Sequence, residues 1–505
     1  MKYGAIAGGE KSTVQAACQI MENGGNAFDA AVGAVFTSMV SEYNLTGPGG
    51  GGAFLASPVN ADPILYDFFV DTPPPQPKKE LDFFGILVDF GPSQQQFHIG
   101  QGSVAVPGNT AGLLEVHKRL GQLPLKAVLE PAVDTAKSGI VLNETQGYLV
   151  KILEPILTHS KAGRDLFSPD GKLLNAGDRF KNPAFADFMG MLVAEGPKYF
   201  YERDGAELIL NTVGQKGLLT KECLTLYKVI ERFPLKSKLN GKTIYTNPAP
   251  ATGGTLITFA LQLLERSKNS AKSEFINLVR AMQVTSAARK EISLDIKDEF
   301  QISHVLDPKT FNNYLRMFNS NFTSFQNEKD PVSRGATTHV SIIDKHGNAA
   351  SVTTTNGEGC GYIIPELGIM LNNMLGEEDL NPMGFHQWPR QQRLPTMMSP
   401  TVVMGKKGVE LVLGSGGSNR LRSAISQVIL NLFVKKMDLE SAVHAARIHL
   451  EGNVLHFEPG TILEHLPDDI QLHPWNEKNL FFGGVNAVTP AEAIGDPRRG
   501  GTGII

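Results

Sequence analysis

The hexapeptide Arg334-Gly335-Ala336-Thr337-Thr338-His339 joins the polar stretch EKDPVSRGA directly to the β-branched run HVSIID. A threonine hydroxyl is a weak nucleophile unless a base stands beside it, and a free α-amine on the same residue is such a base. Scission between Ala336 and Thr337 would therefore create its own catalyst. Read from propensity alone, Thr337 and Thr338 are also ordinary strand residues, because β-branched side chains suit a pleated surface. Residue types leave both readings open. A second point of interest is Gly416-Gly417, set between VELVLG and the helix-like SNRLRSAISQVILNLFVKK. A glycine turn ahead of a helix can present backbone amides and the positive helix end to developing negative charge.

Other chemistries lack their residues. Neither this turn nor the cluster Gly47 to Gly52 carries the GxxxxGK[ST] spacing of a phosphate loop. There is no GxSxG elbow for a serine triad, GSGGS at Gly414 being only superficially close. His339, His346 and His386 are too scattered for an HExxH-like zinc site. The three cysteines, Cys18, Cys223 and Cys360, form no CxxC pair and read as a reduced, cytoplasmic set. With 47 Lys plus Arg against 51 Asp plus Glu, the charge of −4 offers no broad attraction to nucleic acid or an anionic membrane. No window approaches the ~18 apolar residues of a membrane span, and the segment MKYGAIAGGEKSTVQ lacks the apolar run of a secretory leader. The expectation is a cytoplasmic protein that binds neither nucleic acid nor membrane.

The elements that must position these residues come next. At 505 residues the chain suggests several domains or one large layered domain, and 41% hydrophobic residues can bury a large core. Ser12 to Ser41 carries apolar residues at helical spacing, broken at Gly24-Gly25, which predicts two helices with Ser12 or Thr13 as the first cap. Asp71 to Gln96 reads as a surface excursion, and Gly108 to about Glu265 as a mostly helical outer layer. Lys268 to Gly335 stays polar and mixed, ending in an exposed linker. From Thr337 the texture changes: HVSIID, NAASVTTT, SPTVVM and VELVLG are short and β-branched, as strands are, and a long amphipathic helix follows. This order favours a layered α/β or α+β body.

Several motifs in one order resemble the gamma-glutamyltransferase family. They are ENGGNAFDAAV, the glycine cluster, VPGNTAGLLEVHKRLG, EPAVDTAKSGIVLN, NPAPATGG, then TTHVSIIDKHGNAASVTTT, GIMLNN, MSPTVV and GSGGSNR, spanning nearly the whole chain. The resemblance implies an α+β fold, the four-layer αββα sandwich of N-terminal-nucleophile hydrolases. It also implies a precursor split by its own threonine into a large subunit, 1–336, and a small subunit, 337–505. Thr337 would attack the Ala336 carbonyl, then a substrate amide, and pass the acyl group to water or an amine. Thr355, eighteen residues further on, matches a threonine whose hydroxyl bonds the nucleophile, and Gly416 and Gly417 match an oxyanion-hole pair. The partners so implied are a small-molecule amide, water or an amine acceptor, and the two subunits of one precursor. No cofactor or metal is needed, and a homo-oligomer stays open.

At the substrate positions the chain departs from the family. Where the family holds a glutamyl carboxylate with an arginine and two serines, this sequence has Phe69 and Thr396-Met397. On the amine side the aligned residues are Gly357, Met374 and Glu377; Asn356 stands one residue early, and Glu377 offers an ammonium partner. The segment from Asn381 to Arg393, where the family has a lid, is short and carries His386 and Trp388. The donor is then either a γ-glutamyl compound of the glutathione type held by other contacts, favoured on family frequency, or a different acyl amide. A catalytically silent binding homologue is the third reading, and retention of Thr337, Thr355 and the glycine turn weighs against it.

Overall fold

The computed structural model describes residues 4–74, 80–89, 94–266, 273–293, 300–320, 336–389 and 391–505. Two antiparallel sheets lie face to face. The first runs in the order Thr502–Ile504, Gly4–Gly8, Thr338–Asp344, Ala349–Thr355, Gly51–Ser57, Ile64–Phe68, Ile230–Arg232. The second runs Ala493–Ile494, Gly484–Val488, Gly408–Gly416, Thr401–Gly405, Lys242–Thr246, Leu235–Leu239.

Side chains alternate across a strand, and that alternation sorts the core into layers. Val340, Ile342, Ala350 and Val352 of the first sheet pack outward on helical residues such as Val32, Val35 and Phe36. Their neighbours Ile343 and Ala349 turn the other way, against Val402 and Val412 of the second sheet. Leu411, Leu413 and Val485 face outward again, onto Ile425, Val428 and Ile429 of the helix Arg420–Phe433. Helix, sheet, sheet, helix is the result, as the resemblance implies. The helix Ala27–Ser41 is buried along its whole length. Its small residues allow that: a side chain at Gly33 would come 2.5 Å from the Val128 carbonyl of the helix Leu125–Ser138.

Several sequence expectations need correction. The first helix, Lys11–Glu22, is capped by Glu10, whose carboxylate accepts from the Ser12 amide at 2.6 Å, so neither Ser12 nor Thr13 is the cap. The stretch from Asp71 to Gln96 contains most of a hairpin, Phe84–Asp89 paired with Gln94–Ile99, which anchors through buried Val88, Phe97 and Ile99. The mostly helical region also supplies five strands: one to the first sheet, two to the second, and the small pair Ile140–Val141 with Arg179–Phe180. Between Lys268 and Gly335 stand the helices Glu274–Ser293 and Pro308–Asn319, which bury Val279, Val284, Phe311, Tyr314 and Phe318. Their apolar stripes are narrow and set among charged residues, so composition hides them. The stretch EKDPVSRG lies outside the described residues. No described helix is long and apolar enough to cross a membrane.

Candidate active site

Thr338 pairs with Thr354 in the central hairpin of the first sheet. The same register carried one residue further sets Thr337 opposite Thr355, and Thr355 in turn pairs with Gly51. Alternation puts Thr337 on the face of His339, which looks into the gap between the sheets. There the second sheet must come close without side chains. A Cβ at Gly414 would meet the His339 ring at 2.2 Å, and one at Gly416 would meet the Thr337 carbonyl oxygen at 2.3 Å. Gly417, at φ +122°, completes the turn into the helix, and Ser418 follows at φ 47°. Asp379 ties that turn down, accepting from Ser418 Oγ at 2.7 Å and Asn419 Nδ2 at 3.2 Å.

The Thr355 hydroxyl donates to the Ala336 carbonyl, and accepts from the Gly357 amide at 3.0 Å. The family resemblance implied a bond to the Thr337 hydroxyl; in the continuous chain the partner is the carbonyl that the nucleophile would attack. Both residues of the junction are buried, Ala336 at 6% and Thr337 at 5% exposure.

Charged groups crowd this junction. Arg499 lies along Gly416, Gly417 and Gly484 and points Nη1 at the Thr337 carbonyl, 3.4 Å away; burial lowers its pKa to about 10. Glu42 receives the Thr338 hydroxyl at 2.9 Å and the Thr13 hydroxyl at 3.4 Å, and burial raises it to about 8. Glu358 is raised by burial to about 8 as well, with the Ala336 amide and the Asn373 side chain drawing it part of the way back. Neither of its oxygens finds good hydrogen-bond geometry among the described residues. Glu377 is raised well above the usual carboxyl range, by burial and then by Glu358 and Asp379. His339, by contrast, is lowered by burial to about 3 and stays neutral. Its Nε2 must donate to Ser341, because the single Ser341 proton goes to the Asn486 carbonyl; Nδ1 then accepts from Thr353 at 2.7 Å.

Of the other sequence-predicted residues, Glu377 is brought to the site: a Cβ on Gly357 would lie 2.3 Å from its Oε1. Asn356 is turned away, toward Gly47 and the Met370 carbonyl. Phe69 and Met374 pack with Trp388, Leu380 and Met398 in one apolar cluster, and Phe69 backs directly onto Gly51. Met397 packs with Ala249, Leu256 and Leu421, and accepts from the Thr252 hydroxyl. Thr396 Oγ1 accepts from the Met398 amide. His386 bonds the Gly102 carbonyl at 2.9 Å and stacks edge-on with Phe83. Arg393 is buried beside Phe69, but Asp71, Asp67, Tyr227 and two backbone carbonyls occupy it. Sequence reasoning passed over Glu42, Glu358, Asp379 and Arg499. The first two had a signal: an acid at the C-terminal end of a largely apolar helix, and an acid between glycines in NGEGCGY.

Residues 13–505 match the family model described as gamma-glutamyltranspeptidase. The chain belongs to that family. It is 28% identical to the glutathione hydrolase proenzyme of Pseudomonas aeruginosa over 540 residues, covering 99% of this chain and 94% of that one. It is equally 28% identical to the acylase ACY 1 proenzyme of Pseudomonas sp. strain SE83, over 88% of this chain and 82% of the other. Among solved structures, cephalosporin acylase from Bacillus halodurans superposes with a TM-score of 0.81 at 19% identity, covering 99% of this chain and 96% of that one; at that identity the likeness shows the fold. The gamma-glutamyltranspeptidase family assignment and this likeness make the fold the four-layer sandwich of N-terminal-nucleophile hydrolases, and the chain an enzyme of that kind.

Proposed function

We propose that the chain is an autoprocessing threonine amidohydrolase and acyltransferase in which Thr337 both cuts the precursor and attacks substrate. The observation that carries this is the Thr355 hydroxyl donating to the Ala336 carbonyl, with Thr337 opposite it in register. A carbonyl so held is polarised toward attack, and its oxygen already has a donor for the charge that develops. Thr337 Oγ1 adds to the Ala336 carbonyl carbon, the peptide C–N bond breaks as the nitrogen takes the proton, and an ester links Ala336 to Oγ1. Water hydrolyses the ester, releasing the Ala336 carboxylate and restoring the Thr337 hydroxyl beside the α-amine freed in the first step. That amine then serves as base when the same hydroxyl attacks a donor amide, and it returns the proton to the leaving amine. Burial of the junction is no obstacle to the first step, which is intramolecular, and departure of the Ala336 end opens the place that a donor needs. The Gly416–Gly417 turn, tied down by Asp379, is our assignment for further amide donors to the oxyanion.

The pieces 1–336 and 337–505 would stay together after the cut. The strands Thr338–Asp344 and Ala349–Thr355 lie between Gly4–Gly8 and Gly51–Ser57 in one sheet, and Thr401–Gly405 pairs with Lys242–Thr246 in the other. A γ-glutamyl amide of the glutathione type is the donor that family membership favours. A second reading, a different acyl amide, is supported by the apolar wall of Phe69, Met374 and Trp388, and by likeness to a protein described as an acylase. A cytoplasmic site of action is supported by three free cysteines. Purified wild-type protein should give two fragments, the second beginning TTHVSIID, and Thr337→Ala one. A wild type that stays whole after prolonged incubation in native buffer refutes the proposal.

A further inference from the structure

An amine can act as base only while it is unprotonated. A free α-amine has an ordinary pKa of about 7.7–8.0, so near neutral pH most of it is an ammonium, which cannot take the proton from Oγ1. The charges around the terminus that a cut would give Thr337 therefore decide how much of the amine is usable, a point that rests on Thr337 being the nucleophile.

One cation is aimed at that terminus. Arg499 points Nη1 at the Thr337 carbonyl from 3.4 Å, beside Gly416 and Gly417. Bond lengths keep a residue's nitrogen within about 3.6 Å of its own carbonyl oxygen, so the guanidinium stands no more than about 7 Å from the nitrogen that would become the amine. Among the described residues no carboxylate pairs with Arg499: Asp496, three residues before it, is taken by Arg447 at 2.6 Å and Arg498 at 3.2 Å. Its Nε is shut off from water and has no hydrogen-bond partner there. An uncompensated guanidinium is costly to keep in such a place, and a charge held at a cost beside a reacting group points to a function.

The other ionisable groups around the junction do not cancel it. Glu42, which receives the Thr338 hydroxyl, and Glu358, beside the Ala336 amide, are both pushed by burial to about 8, and Glu377 is pushed well above the carboxyl range, so at neutral pH they are largely uncharged. Asp379 is turned into Ser418 and Asn419. His339 is held neutral between Thr353 and Ser341. Arg420, whose field reaches Arg499, adds positive charge.

We propose that Arg499 is a positioning residue that keeps the freed Thr337 α-amine unprotonated, and so able to act as base, at neutral pH. A like charge nearby disfavours the ammonium and lowers the pKa of the amine, by about one unit at this range in a half-buried site.

The first readout is the amine itself. Self-cleaved wild type and Arg499→Gln are pulsed with acetic anhydride from about pH 5 to about pH 10, a span that brackets the ordinary α-amine, and acetylation of the TTHVSIID terminus is read by mass spectrometry, with Arg499→Met replacing a variant that misfolds. The labelling midpoint should lie at or below about pH 7 in wild type and about one unit higher in the neutral variants, while Arg499→Lys, which keeps the charge, should stay near wild type. The second readout is kcat/KM for whichever of γ-glutamyl- and butyryl-p-nitroanilide the wild type cleaves faster. Its acid limb should move up with the labelling midpoint, which loss of a merely structural anchor would not bring about. The proposal is overturned if the neutral variants label with the wild-type midpoint, or if Arg499→Lys shifts as far as they do. Neutral variants that fold but never cut themselves would overturn it as well, because the charge would then be needed before any amine exists. Hydrolysis by Thr337→Ala at the wild-type rate would instead remove the nucleophile assignment, and this proposal with it.

Discussion

Thr355→Val keeps the shape of the side chain and removes one hydroxyl, which isolates what that hydroxyl does. In the continuous chain it donates to the Ala336 carbonyl and accepts from the Gly357 amide. Losing it leaves a buried acceptor and a buried donor without their partner, a destabilisation of about 1–3 kcal/mol for each group that water cannot reach. That part is felt in the ground state and shows as a lower melting temperature. The larger effect falls on self-cleavage. As Thr337 Oγ1 adds to the carbonyl, its oxygen becomes an anion, and a hydrogen bond to an ionised acceptor is roughly twice as strong as a neutral one. Removing one oxyanion donor from a preorganised site typically costs about 2.7–4 kcal/mol of transition-state stabilisation, or a rate loss on the order of 100- to 1000-fold.

The assay is a timed quench after cell-free synthesis, resolving the 505-residue precursor from fragments 1–336 and 337–505, with Thr337→Ala as the uncut reference. Thr355→Ser, which keeps a hydroxyl, should recover to within about tenfold of wild type, equivalent to about 1.4 kcal/mol. If a folded Thr355→Val chain cleaves within about threefold of wild type, less than 1 kcal/mol of barrier, the hydroxyl is not polarising the scissile carbonyl, and the placement of Thr355 in the reaction is wrong.

Two further predictions concern buried charge. Glu42 has a pKa raised from 4.5 to about 8 by burial, so between those values the folded chain holds a proton that the unfolded chain has released. Stability must then fall as pH rises from about 4.5 to about 8 and level off above; Glu42→Gln should flatten that part of a melting-temperature series from pH 5 to 9, and parallel wild-type and variant curves would contradict the assignment. Arg498 is fully buried, bridging Glu458 and Asp496 and donating to the Val443 and Ala445 carbonyls. Arg498→Ala leaves the buried Glu458 carboxylate without its cation, while Asp496 keeps Arg447 at 2.6 Å, and should cost about 3–5 kcal/mol in urea unfolding, whereas a loss below about 1 kcal/mol, the level of an exposed pair, would show the network to be solvated.

The central hairpin and the glycine turn were legible because their signals are local. HVSIID and NAASVTTT alternate at period two, and VELVLG runs into glycine and then a helix, so strands, turn and helix could each be read within ten residues. The flanking chain was harder. The hairpin Phe84–Asp89 with Gln94–Ile99 reads as Gln-rich loop because, among its described side chains, only Val88, Phe97 and Ile99 are firmly buried. The helix Glu274–Ser293 sits among polar residues and earns its place through Val279, Ala281, Val284 and Ala288 packing on separate clusters. At the site, resemblance carried the reading to Thr355 and Glu377. It did not reach Glu42, Glu358 or Arg499, whose meaning depends on which strand ends the fold brings together: Glu42 closes a helix about 300 residues before the Thr338 it binds, and Arg499 returns from the far end of the chain to the Thr337 carbonyl.

That convergence would keep the new terminus in place were the chain cut beside Thr337 as proposed. Thr338, the first residue after the proposed nucleophile, is held on one face by Glu42 and across the sheet by Thr354. The Thr337 carbonyl is held on the other face by Arg499, lying beside Gly416, where a Cβ would meet that same carbonyl oxygen at 2.3 Å. None of these contacts belongs to the segment that would depart: Glu42 caps the helix Ala27–Ser41, Thr354 and the glycines lie on neighbouring strands, Arg499 near the C-terminus. On the proposed mechanism, severing the Ala336–Thr337 bond would therefore remove the carbonyl from the site and leave the Thr337 hydroxyl where it stood, with an amine gained beside Oγ1 and little rearrangement of the strand that carries it.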